Sequence, residues 1–435
     1  MLSNRCLCGT LHAQQTWRLF LKSDLDRLME ARDLDALFVT GSTRENPCMY
    51  YLANGARVGE STLALKKRGA APVLIAIGME REEATKSSLT VLPRSRFKFQ
   101  SLLKNADGNM LVAQAQLVEE IFKDQDVQGN VGIYGQTDRG QTLALMDVIR
   151  ARAEASNFKI VGEPSPNIFE EARITKDAEE IKRIRKLAQA ALNVIRNTRD
   201  YLGSHLASNG NLVKEDASVL TIGDVKRQIR RWTFENELED PEGAIFAIGR
   251  DAGIPHSHGE DSDPIALGKT IVFDYFPREA GGGYFYDFTR TWCVGYAPPE
   301  VEKVYEQVHQ AFHISMDTLA VGQPCKAVQS HVNDFFEAAG HPTARSHPGT
   351  TEGYVHSLGH GIGLNVHEAP RLSEHAQPDE ILQAGMVLTI EPGLYYPDKG
   401  YGVRIEDYVW LNPSTHQFET IGEFDKELVI PISEN

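Results

Sequence analysis

The sequence has no apolar run near the ~18 residues that a membrane-spanning helix needs. Its most apolar short stretch, APVLIAIGM at 71–79, has the length of a strand. The first 30 residues carry Arg5, Arg18, Lys22 and Arg27 but no continuous apolar core, so no secretory leader is expected. Cysteine is scarce: Cys6, Cys8, Cys48, Cys293 and Cys325 are odd in number and scattered. That excludes a disulfide framework and fits reduced thiols in a cytoplasmic protein. Cys6 and Cys8 have no second pair or histidine cluster beside them, so they read as part of a frayed N-terminus rather than a zinc site. Positive charge is also in short supply. Lys and Arg number 45 against 60 Asp and Glu, a formal net charge of −15. With no basic stripe, a nucleic-acid partner held through phosphates is excluded.

What is present is an ordinary globular composition, 41% hydrophobic and 24% charged over 435 residues, enough for about two to three domains. Up to about residue 165, helical and strand patterns alternate. FLKSDLDRLMEARD (20–33) is amphipathic, DALFVT and PVLIAIG are strand-like, LVAQAQLVEEIFKD is helical, VGIYG is a short strand, and TLALMDVIRARAEA is helical again. This predicts an α/β N-terminal domain. GEPSPN (162–167) is a turn-rich break. Beyond it the pattern predicts an α+β domain with a mostly antiparallel sheet. A long helix starts at Asp177, with Glu180 completing a capping box. Strands follow at AIFAIG, KTIVFDYF and YFYDFTRTWCVG. Two helices come next, one opening at Pro298-Pro299 and the other stopping at Gly340. Strands return at YVHSLGHGIGLNV, MVLTIEPGLYY and GVRIEDYVWL. We divide the chain into an unassigned segment 1–19, an N-terminal domain 20–167 and a catalytic domain 168–435.

Five residues carry the chemistry: Asp274, Asp287, His360, Glu391 and Glu406. Each acid lies in or beside an apolar, strand-like run, where an unpaired carboxylate is costly. Four converging carboxylates would repel one another and take up protons unless cations neutralise them. Taken singly, each residue has an ordinary alternative. Asp274 could cap a strand end, Asp287 could pair with Arg290, Glu406 could sit on a solvated face, and His360 could be a hydrogen-bonded core histidine. Glu391, between LTI and PG, is hard to place on a surface. Taken together, the five read as a paired-metal site. Oxygen donors with one imidazole suit Mn²⁺, with Co²⁺, Fe²⁺ or Zn²⁺ also compatible. Two such cations can hold a water as hydroxide, a nucleophile for an amide carbonyl, while Glu391 relays a proton to the leaving amine. The HSLGHGIGLNVHEAP segment has no HExxH, and its glycines at 359, 361 and 363 are expected to let the backbone approach substrate or metal.

At these residues the chain closely resembles the metallopeptidase family of Xaa-Pro aminopeptidases, prolidases and methionine aminopeptidases, which has the pita-bread catalytic fold. D…DxTRT, GHGIG…HE, IEPG and RIED occur in that family's order over residues 170–435. The resemblance implies two divalent ions. Asp287 and Glu406 would bridge both, Asp274 would bind one, and His360 with Glu391 the other. It also implies that His367 contacts substrate near the scissile carbonyl. His256 would stabilise the tetrahedral intermediate, with His258 as its competitor. Thr289 and Arg404 would orient the acids, and His356 would line the pocket. The first 165 residues resemble the creatinase/prolidase-type N-terminal domain.

The function so implied is a Xaa-Pro aminopeptidase acting on proline-containing peptides, as a homodimer or homotetramer. The alternatives are a prolidase restricted to Xaa-Pro dipeptides and, from another class, a metal-free binding protein on the same fold. One departure stands out. The family has Asp-x-Gly after the first ligand and ten residues between the aspartates, whereas DYFPREAGGGYFYD has twelve. Pro277, Arg278 and Glu279 in this enlarged hairpin are expected to form a solvent-exposed turn.

Overall fold

The structure, a computed structural model, describes residues 23–153 and 157–432. Segment 1–19 and the Cys6–Cys8 pair lie outside them. Among the described residues, Cys293 and Cys325 are buried free thiols, and no helix is long and apolar enough to cross a membrane. The chain forms two compact units. One runs to Arg173 and includes Gly281–Gly283; the other comprises Ile174–Ala280 and the chain from Tyr284 onward.

The first unit is built on a six-stranded sheet whose centre is the strand Ala36–Thr40. That strand pairs antiparallel with Leu63–Lys67 and parallel with Gly129–Gly135. Its alternation explains the layering. Leu37 and Val39 face one buried cluster with Leu25, Met49 and Phe169. Ala36 and Phe38 face the other, with Leu117, Ile121 and Phe122 from the helix Met110–Asp124. The strand Phe158–Val161 and the helix Ile168–Ala172 flank the GEPSPN turn. Both were too short to carry a periodicity of their own.

The second unit opens with the helix Ala178–Gly203. The Asp177 carboxylate accepts from the amides of Glu179 and Glu180, and Glu180 accepts from the Asp177 amide at 2.8 Å. The helices Pro299–Thr318 and Cys325–Ala338 follow, and Gly340 takes the left-handed φ of +88° that ends the second. Val304, Val308 and Phe312 pack with Leu388, Ile390, Val403 and Val409 in one buried cluster.

Two sheets supply the site. In one, Thr270–Asp274 pairs antiparallel with Ile245–Ile248 and Thr289–Val294, and Asp274 lies opposite Thr289. In the other, Val387–Ile390 pairs antiparallel with Asp407–Leu411, and Gly359–Gly361 pairs antiparallel with Glu368–Leu372. MVLTIEPGLYY and GVRIEDYVWL are not single strands. Each breaks at its glutamate: Gly393–Tyr396 pairs instead with Tyr401–Arg404 in a separate ladder. Pro392 has no amide to give, and the two glutamate amides leave the hairpin. Glu391 N–H bonds the Leu358 carbonyl at 2.8 Å, and Glu406 N–H bonds the Thr289 carbonyl at 3.0 Å. The breaks thereby draw the histidine segment and the Asp287 segment together.

The hairpin after Asp274 corrects the expectation of an exposed turn. Arg278 is buried and bonds Glu239 at 3.2 Å. Its strand, Arg278–Glu279, pairs with Leu238–Glu239. Glu279 meets Arg183 at 2.6 Å. Tyr275 is fully buried, and its hydroxyl bonds Thr233. The added residues carry a small ladder and two ion pairs, which is why they pack inward.

Candidate metal centre

Asp287, His360 and Glu406 each offer one donor atom, and these atoms lie within 4.8 Å of one another. All three residues are buried. The Nε2 of His360 is 3.8 Å from Asp287 Oδ2 and 3.6 Å from Glu391 Oε1. Asp287 lies two residues before Thr289, where the strand Thr289–Val294 begins. The Thr289 hydroxyl donates to Glu406 Oε2 at 2.7 Å. Arg290 turns away from Asp287 and bonds Asp407 at 2.7 Å, so the simple ion-pair alternative for Asp287 does not occur. Glu406 is 2% exposed and is not on a solvated face.

Asp274 joins the group through Arg404. That guanidinium donates to Asp274 Oδ2 at 2.7 Å, to Thr289 Oγ1 at 3.1 Å and to the Tyr395 hydroxyl at 2.8 Å. The His356 Nδ1 is 2.7 Å from the Ser357 carbonyl, so it carries the proton, and its Nε2 accepts from the Tyr395 hydroxyl at 2.8 Å. Tyr395 thus links His356 to Arg404. Sequence reasoning missed it, because a tyrosine in a buried strand reads as core; its one signal is its place four residues after Glu391.

His360 Nδ1 donates to the Gly361 carbonyl at 3.0 Å. That fixes the tautomer and leaves the Nε2 lone pair facing the acids, the usual arrangement of a ligating imidazole. Burial pushes the His360 imidazole down to about 3, so it stays neutral. The ring of His367 meets that of His360 edge-on, with centroids 4.4 Å apart, and His367 is exposed at the rim. His256 and His258 are both exposed. His256 lies within electrostatic range of His356 and His367. His258 instead turns its Nδ1 to within 3.4 Å of the Ala244 carbonyl, in reach of Asp240. Arg371 lies directly across the ladder from His360 and is exposed. It was not singled out in the sequence, where its position four residues after His367 is the available cue.

The glycines on either side of His360 are needed for backbone packing. A Cβ at Gly359 would fall 2.0 Å from the Thr389 carbonyl oxygen, and one at Gly361 would fall 2.0 Å from that of Ala369. The close approach is strand to strand.

Burial, then the charges of Glu406, Asp274 and Glu391, push the Asp287 carboxyl well above its ordinary range. Burial, then Glu391 and Asp274, does the same to Glu406. Burial raises Glu391 to about 8 against the opposing charge of Arg404. Asp274 Oδ1, Asp287 Oδ1 and Glu406 Oε1 are buried, with no hydrogen-bond partner among the described residues. Buried oxygens without partners are costly. Asp287 and Glu406 group with the neutral His360 imidazole, and Asp274 is held nearby through Arg404; together they make a donor set that fits a hard to borderline divalent cation.

Comparison with known proteins agrees with this chemistry. The description of metallopeptidase family M24 matches residues 180–413. An uncharacterized peptidase of Methanocaldococcus jannaschii is 31% identical over 255 residues, covering 58% of this chain and 63% of that protein. A Xaa-Pro dipeptidase of Pyrococcus horikoshii is 26% identical over 384 residues, covering 88% of this chain and 92% of that protein. The crystal structure of an X-Pro aminopeptidase of Thermotoga maritima matches with a TM-score of 0.70 at 20% identity, covering 94% of this chain and all of that one. At that identity the likeness speaks to fold.

Proposed function

The chain belongs to metallopeptidase family M24, whose catalytic fold is the pita-bread fold, and on that premise we propose a dinuclear-metal exopeptidase that cuts between an N-terminal residue and a following proline. The observation that carries this reading is the grouping of the Asp287 and Glu406 carboxylates with the His360 lone pair, with one oxygen each of Asp274, Asp287 and Glu406 buried and without a hydrogen-bond partner among the described residues. Asp287 and Glu406 would bridge two ions, most suitably Mn²⁺; Asp274 would complete one site, and His360 with Glu391 the other. When bound, the ions supply Lewis acidity and a water of lowered pKa.

The chain's own residues do the rest. Arg404 and Thr289 hold Asp274 and Glu406 in fixed orientation. Glu391, whose side chain is 17% exposed, moves a proton toward the leaving amine. His367 at the rim and His256 donate hydrogen bonds to the carbonyl oxygen as it gains charge. His356 lines the pocket, held by Tyr395. A proline amide has no N–H, so recognition falls to shape and to these histidines. We further take residues 20–167 as a creatinase/prolidase-type N-terminal domain, and the enzyme as a cytoplasmic homodimer or homotetramer.

A prolidase restricted to Xaa-Pro dipeptides is supported at least as well. The Pyrococcus relative is named a Xaa-Pro dipeptidase, and Arg371, across from His360, is a cation suited to a free carboxylate on proline. The experiment is hydrolysis of Xaa-Pro and Xaa-Pro-Yaa-Yaa by protein reconstituted anaerobically with Mn²⁺, with products read by mass spectrometry. Cleavage before proline that EDTA abolishes is expected. Full activity after chelation, or none on either substrate, overturns the reading.

A further inference from the structure

We propose that Lys176 and Glu368 form a buried clamp that positions His367 over the metal centre, so that Glu368 acts as a positioning residue for the reaction. This inference rests on the reading above. The two side chains are 1% and 4% exposed, and they meet at 3.2 Å across 192 residues of sequence. Glu368 Oε2 takes the ammonium. Its Oε1 accepts from the amides of Leu364 and Asn365 at 3.1 and 3.2 Å. The carboxylate therefore folds the segment from Gly363 back on itself, with His360 just before the turn and His367 next to Glu368 at its end.

The surroundings are built to this pair. A Cβ at Gly363 would fall 2.6 Å from Glu368 Oε2 and about 3 Å from the end of Lys176, so a larger residue there would push the two charged ends aside. The Gly363 carbonyl accepts from the Phe285 amide at 2.7 Å, and the Lys176 amide bonds the Gly385 carbonyl at 2.8 Å. One bond reaches the chain two residues before Asp287, and the other the chain two residues before the strand Val387–Ile390. A buried ion pair is weak support for stability, because desolvation offsets the attraction, while removing one partner strands the other charge. What this pair supplies is register: it sets where a rim histidine stands relative to a ligand 4.4 Å away, ring to ring.

The test compares Glu368→Gln, Lys176→Met and Lys176→Arg with His367→Ala, alone and combined, in the Mn²⁺-reconstituted full chain. His367→Ala should lower kcat about 100-fold with metal content unchanged. Glu368→Gln and Lys176→Met should each lower kcat about 10- to 100-fold at near-constant KM and metal content, as expected of a reacting group displaced by about 1 Å. Lys176→Arg should recover most of the loss. Combined with His367→Ala, Glu368→Gln should cost less than about twofold more, since one group cannot be misplaced once removed. Additive losses, or a loss of metal equal to the loss of rate, overturn the clamp. A wild-type chain that cleaves no proline peptide defeats the functional reading instead. Circular dichroism at the assay temperature confirms folding, and because the two ends are removed in separate variants, unfolding of one leaves the other to decide.

Discussion

Arg404 and Asp274, 130 residues apart in sequence, meet through a 2.7 Å hydrogen bond, and the same guanidinium also holds Thr289 and Tyr395. One planar fork thus fixes one acid directly and a second, Glu406, through the Thr289 hydroxyl. A lysine has one ammonium and cannot span those partners. Arg404→Lys is expected to weaken Mn²⁺ retention or kcat by about 10- to 100-fold, measured by metal titration beside steady-state kinetics. Unchanged values would show that the acids need no such brace.

Asp287 and Glu406, grouped with His360, each leave a buried oxygen without a hydrogen-bond partner among the described residues. Removing either carboxylate takes a donor from the middle of the set. Asp287→Ala and Glu406→Ala should each abolish measurable turnover and lower the bound metal per chain in elemental analysis. Near-normal turnover in Asp287→Ala would sink the ligand assignment.

The pH dependence of stability follows from the raised acids. A carboxyl whose folded pKa lies above its unfolded value contributes stability below the unfolded value and loses it as pH rises through the folded one. For Glu391 that window runs from the ordinary 4.5 to about 8, and Asp287 and Glu406 are shifted in the same direction. Chelated protein should therefore melt at progressively lower temperature from pH 5 to pH 8, and added Mn²⁺ should remove most of that decline. Scanning calorimetry with and without the ion checks it; a chelated protein that gains stability over this range contradicts the convergence of the acids.

Arg371 separates the two peptidase readings. If it takes a free carboxylate, Arg371→Ala should raise KM for Xaa-Pro dipeptides about 10-fold or more, in line with a lost hydrogen bond to a charged group, and leave a tetrapeptide substrate nearly unaffected. Equal effects on both substrates would assign Arg371 to general electrostatics.

The residues best read from sequence were those whose chemistry is costly without a partner. Four acids in apolar strands and one histidine could be grouped before any coordinates, and the Asp177–Glu180 cap and the Gly340 stop follow from local rules. The breaks at Glu391 and Glu406 were hidden, because Ile390 and Ile405 keep the apolar pattern running through them while the backbone changes partners. The inward packing of Arg278 was hidden as well, since its partner Glu239 is supplied by a distant two-residue strand. Tyr395 reads as core by composition and becomes a link only once Arg404 and His356 are placed in space.

Because Gly359 and Gly361 each abut a carbonyl oxygen on a neighbouring strand, the glycines flanking His360 answer to architecture and the imidazole between them answers to chemistry. The two demands can be uncoupled. A chain that exchanged hydrolysis for some other task could surrender the imidazole and the acids grouped with it yet still be obliged to keep the glycines. In this chain the two glycines would persist for packing alone, whatever became of the donors around them.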